Sequence, residues 1–101
     1  MKLVYIAGPY RADTINGVYE NIQRARAVAV KVAKEGDFPV CPHMNTALMD
    51  GINDDEFWLE GTMKLMEMCD EVLCIKGWQD SRGTIAEVDR AADLRIPIRY
   101  A

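Results

Sequence analysis

The sequence predicts an α/β fold in which helices cover both faces of a small, mostly parallel sheet of four to five strands. Three observations carry this reading. Short β-rich apolar runs alternate with longer stretches of helical period. One of those runs, Val72 to Ile75, is continuously apolar, as a central parallel strand covered on both faces requires. The order β-α-β-(α)-α-β-α-β then gives a three-layer, flavodoxin- or Rossmann-like domain with right-handed crossovers.

The elements follow in order. Lys2 to Ala7 reads as the first strand, ended by Gly8-Pro9. Val18 to Glu35 reads as a helix, with Val18, Ile22, Ala25, Ala29 and Val32 on one stripe and Gly36 as its stop. Phe38 to Cys41 is a second short strand, closed by Pro42. From His43 to Asp54 turn residues dominate, with one helical turn expected at Ala47 to Met49. A second helix is expected from Asp55 to Cys69, capped by Asn53 with Glu56 three residues on, and with Leu59, Met63 and Met66 inward. After Val72 to Ile75 comes a loop through Gly83. Thr84 to Leu94 then forms a third helix with Ile85, Val88 and Ala92 inward, and Ile96 to Tyr100 the last strand.

Length and charge narrow the function. The 101 residues fit one domain spanning the chain, large enough for one modest core, so self-association is plausible on size alone. A net charge of −4 argues against binding a nucleic acid polymer, although isolated basic residues could still hold one small phosphate. The three cysteines, Cys41, Cys69 and Cys74, have no metal-ligand spacing and read as reduced thiols of a cytoplasmic protein. No metal or cofactor is implied. The first residues read as a strand, and no run approaches the roughly 20 apolar residues of a membrane span.

In a sheet of this kind ligands bind beyond the carboxyl ends of the strands. Two loops there carry unusual chemistry: Gly8-Pro9-Tyr10-Arg11, and Trp78 to Gly83. The second runs into a helix N-terminus, where free N–H groups and the positive dipole end suit an anion. Ser81 and Gly83 are apt for a phosphate there, and Arg11 could reach the same ligand or simply be a solvated arginine. Glu87 has two readings. It is either a nucleophile towards an anomeric carbon, or the far end of a Thr84-x-x-Glu87 capping box. Tyr5 is either core or a partner for a site carboxylate. Trp78 could wall a ligand, and Trp58 reads better as core or interface.

These pieces resemble one family. Val4-Tyr5-Ile6-Ala7-Gly8-Pro9, Cys69-Asp70 before the apolar strand, Gly77-Trp78, and Ser81-x-Gly83-Thr84-x-x-Glu87 followed by Ala91 look like the nucleoside 2-deoxyribosyltransferase superfamily. That superfamily includes 2′-deoxynucleoside 5′-monophosphate N-hydrolases and CMP N-glycosidases. Within it, the pattern is most similar to a short, DUF4406-like branch of bacterial and phage proteins. The resemblance implies that Glu87 attacks C1′ and that Tyr5 positions it. It implies that Ser81, Arg11, Gly8, Gly83 and Thr84 hold the 5′-phosphate, and that His43 lies near the site. It also implies a homodimer or higher homo-oligomer.

One departure stands out. Counting eight residues back from Asp70, where the family carries an acid for the leaving base, lands on Thr62. Glu60, Asp54, Asp55 and Asp80 are the carboxylates that could replace it. The expected function is therefore an N-glycosidase or deoxyribosyltransferase acting on a nucleoside 5′-monophosphate. The alternative is a nucleotide-binding module on the same fold. A flavin or phosphate-acceptor domain ranks third, because the first strand end lacks an Asp cluster.

Overall fold

The computed structural model describes residues 1–101. Its four strands are β1 (Leu3–Ala7), β2 (Phe38–Val40), β3 (Glu71–Cys74) and β4 (Ile98–Tyr100). They form one sheet in the order β2-β1-β3-β4, with every neighbouring pair parallel. The helices are α1 (Ile15–Lys34), α2 (Pro42–Asn45), α3 (Asp55–Glu67) and α4 (Arg82–Asp93).

Alternation along β1 divides the core into two layers. Val4 and Ile6 face α1 and pack with Ala25, Ala29 and Val32, joined by Leu73 and Ile75. Tyr5 and Ala7 face α3 and α4 and pack with Met66, Val72, Cys74, Val88 and Ala91. This is the predicted three-layer arrangement. The chain order reverses between β1 and β3, so the switch point, and the crevice beyond it, lies at their carboxyl ends.

Several local expectations are corrected. The helix α1 starts three residues early, because the Thr14 hydroxyl accepts from the Gly17 N–H and caps it. The short helical turn forms at Pro42–Asn45 rather than at Ala47 to Met49, since Pro42 is preorganised for a first helical turn. The cap of α3 is Asp54, which accepts from the Phe57 N–H at 2.9 Å, whereas the Asn53 side chain accepts from the Asp54 N–H. Leu59 is 46% exposed, so the inward side of α3 begins further along, with Met66 fully buried.

The helix α4 is shifted in phase. Ser81 caps it by accepting from the Thr84 N–H at 3.3 Å. Thr84, Glu87, Val88 and Ala91 therefore form the buried stripe, while Ile85 and Ala92 face out. The strand β4 begins at Ile98, two residues later than the apolar run suggested. No helix is long and apolar enough to cross a membrane.

Candidate active site

Beyond the switch point lies a cleft of about 780 Å³. Tyr5 of β1 and Glu87 of α4 form its floor. Its rim comprises the Gly8–Ala12 loop, the start of α2, the segment leading to α3, one face of α3 and the start of α4. A second cleft, between α1 and β2, is mainly apolar and contains no carboxylate.

Glu87 is 7% exposed, and the Tyr5 hydroxyl donates to its Oε2. Because Thr84 is the third residue of a helix capped by Ser81, Glu87 lies in the second turn and closes no capping box. No cation pairs with it. Burial raises its carboxyl pKa, and hydrogen bonds from Tyr5 and Thr62 partly offset that rise. Burial and the nearby carboxylate push the Tyr5 phenol well above its ordinary value, so it stays a donor. Tyr5 is thus both core and carboxylate partner. The Thr62 hydroxyl also lies 3.3 Å from the Leu59 carbonyl, and its single proton serves one acceptor at a time.

His43 is buried, with Nε2 3.0 Å from both the Gly8 and Pro9 carbonyl oxygens. Carbonyls only accept, so this nitrogen carries the proton and braces the first loop. Burial lowers the His43 pKa and keeps the ring neutral at neutral pH. The Asn21 amide braces the same loop, donating to the Tyr10 and Arg11 carbonyls. Gly8 is required by packing, since a Cβ there would collide with the buried Ile75 side chain. At Gly83 a Cβ would come within 2.8 Å of Leu59 Cδ2, the tip of a half-exposed side chain that can move aside.

Arg11 lines the cleft and pairs with Asp55 at 2.6 Å, although both side chains are mostly exposed. This pair spans the mouth. Beside it the Tyr10 hydroxyl donates to Asp50 and accepts from the Leu48 N–H at 2.9 Å. Asp80, Ser81, Gly83 and Thr84 all line the opposite wall.

Three predicted residues fall outside. Trp78 packs on the core beneath α4 and against Tyr100, with ring centroids 5.8 Å apart. Glu60 and Asp54 do not line the cleft. The sequence reading missed Trp58, which does line it, as do Tyr10, Asp50 and Arg82. For Trp58 the available signal was spacing: Asp55, Trp58, Leu59 and Thr62 share one helical face.

Solved structures place the fold. A 2-deoxyribosyltransferase from the psychrotolerant bacterium Bacillus psychrosaccharolyticus superposes with a TM-score of 0.68 at 17% identity, over 97% of this chain and 70% of that one. A 2-desoxiribosyltransferase from Leishmania mexicana gives 0.62 at 20% identity, over 99% and 63%. A conserved protein from Enterococcus faecalis V583 gives 0.78 at 16% identity, over 99% and 62%. The fold is thus the α/β architecture of the 2-deoxyribosyltransferases, on a chain shorter than these three. By sequence, the chain belongs to the family described as Domain of unknown function (DUF7768), whose model matches residues 2–101. No curated protein matches the chain.

Proposed function

We propose that this protein cleaves the N-glycosidic bond of a nucleoside 5′-monophosphate, with Glu87 as the nucleophile at C1′. The observation that carries the reading is the buried Glu87 carboxylate, free of any cation and held by the Tyr5 hydroxyl on the floor of a switch-point cleft. A carboxylate whose only fixed partners are neutral hydroxyls keeps its charge available for a developing oxocarbenium ion. The fold shared with 2-deoxyribosyltransferases agrees with this chemistry.

In this reading, Ser81, Gly83 and Thr84 at the start of α4, with Arg11 across the mouth, hold the 5′-phosphate. Phosphate binding then orients C1′ against Glu87. Glu87 attacks C1′, the base leaves with its bonding electrons and takes up a proton, and water or a second base releases the sugar. Within the cleft, Asp80, Asp55 and Asp50 are the carboxylates besides Glu87. The hydrogen bond from Arg11 holds Asp55 ionised, which argues against Asp55 as the proton donor to the leaving base. A homodimer or higher homo-oligomer is the proposed working state.

A second reading is a nucleotide-binding module, favoured by Thr62, which cannot act as a general acid. One assay separates the two. Purified protein is incubated with ribo- and deoxyribonucleoside 5′-monophosphates, and free base is followed by chromatography beside Glu87→Ala. Base release that Glu87→Ala abolishes supports the glycosidase. Nucleotide-dependent stabilisation without release supports the binding module, and absence of both refutes the nucleotide reading.

A further inference from the structure

We propose that the face of α3 running from Asp55 to Thr62 is the nucleobase wall of the cleft, with Trp58 the surface on which the base stacks. The inference rests on the nucleotide reading above and adds the element that selects the base.

Asp55, Trp58, Leu59 and Thr62 recur at helical spacing, and all four line the cleft. Their two ends are fixed by contacts. Thr62 lies beside Tyr5 and Glu87 at the floor, its hydroxyl donating to the Leu59 carbonyl, and Asp55 pairs with Arg11 at the mouth. At 1.5 Å rise per residue, Trp58 stands about 6 Å along the axis from Thr62 and about 4.5 Å from Asp55. That is the depth at which a base joined to a C1′ beside Glu87 would lie.

Trp58 has no other assignment. It belongs to neither core layer, in contrast to Trp78. Its orientation is fixed at both edges: the indole N–H donates to the Asn53 carbonyl at 3.2 Å, and Phe57 meets the ring edge-on at 5.0 Å and 88°. With its one donor engaged, the indole offers a preorganised π-face without hydrogen-bonding preference. The other aromatic side chains of the cleft have committed hydroxyls, Tyr5 to Glu87 and Tyr10 to Asp50. The opposite wall, at the start of α4, is polar and rich in donors. A ligand with a phosphate on one side and a flat aromatic group on the other matches these two walls.

The test is calorimetric binding of a nucleoside 5′-monophosphate and of ribose 5-phosphate, to wild type, Trp58→Ala and Trp58→Phe. Stacking on an aromatic side chain predicts that Trp58→Ala weakens the nucleotide roughly 5- to 150-fold. Ribose 5-phosphate should be unaffected, and Trp58→Phe should recover most of the loss. The nucleotide should also quench tryptophan emission in Trp78→Phe but not in Trp58→Phe. Equal weakening of both ligands, or of neither, overturns the assignment while nucleotide binding stands. A wild-type protein that binds neither ligand overturns the assignment and the nucleotide reading together.

Discussion

Replacing Tyr5 with Phe removes one hydroxyl from a side chain that is 1% exposed and leaves the ring to fill the same space. The lost contact is the donor to Glu87. A hydrogen bond to a charged group contributes about 1.5–3 kcal/mol, and a neutral one about 0.5–1.5 kcal/mol. In a domain of this size each kcal/mol moves Tm by about 4–8 °C. Tyr5→Phe should therefore lower Tm by roughly 6–24 °C where Glu87 is ionised, and by roughly 2–12 °C where it is protonated.

The pH dependence has a definite sign. Burial raises the folded-state pKa of Glu87 above its unfolded value. Stability linked to this group is therefore fully present below the unfolded value and is lost as pH rises through the folded one. Tyr5→Phe removes a group that favours the ionised form, so it raises the folded value further and makes that loss larger. Calorimetric melts at acid and neutral pH would measure this for wild type, Tyr5→Phe, Glu87→Gln and the double variant. The charge-assisted part of the deficit should vanish in the Glu87→Gln background. An equal deficit at both pH values, unchanged by Glu87→Gln, would refute the assigned bond. In an activity assay, the acid limb of the Tyr5→Phe profile should move to higher pH.

Two further variants test the rim. Gly8→Ala should destabilise by about 1–3 kcal/mol through its clash with Ile75, lowering Tm by roughly 4–24 °C in a thermal melt. Asp55→Asn should leave Tm nearly unchanged, because the pair with Arg11 is solvent-exposed. By freeing Arg11, it should tighten nucleoside 5′-monophosphate binding about two- to five-fold by calorimetry. Weaker binding would show that Asp55 itself contacts the ligand.

The layers of the fold were legible because they depend on coarse periodicity. Val4 and Ile6 on one face and Tyr5 and Ala7 on the other follow from alternation alone. What failed was phase. Beginning the last helix at Thr84 made Ile85 and Ala92 inward and left Glu87 open between cap and nucleophile; the Ser81 cap rotates the stripe by one residue and puts Glu87 on its buried side. The two tryptophans were exchanged for a related reason. Trp78 follows β3 directly and falls back onto the core, whereas Trp58 stands on the cleft face of α3. Neither outcome is visible without knowing how the helices pack. The motif residues Tyr5, Gly8, Arg11, Ser81, Gly83 and Thr84 did converge with Glu87 around one cleft. For Gly8 the fold itself supplies a packing reason.

The cleft joins parts of unequal stiffness. Its floor belongs to β1 and α4, whose inward residues pack throughout the core, while the rim between Thr46 and Asp54 is mostly exposed. Lengthening an exposed connection adds only about 0.6 kcal/mol per doubling, so this segment can accept insertions or exchanges at little expense to folding. Grafted loops at residues 46–52, which leave Asn53 and the Asp54 cap of α3 in place, could therefore change which molecules enter the cleft while Tyr5 and Glu87 keep their places, making this small chain a scaffold for redirecting selectivity.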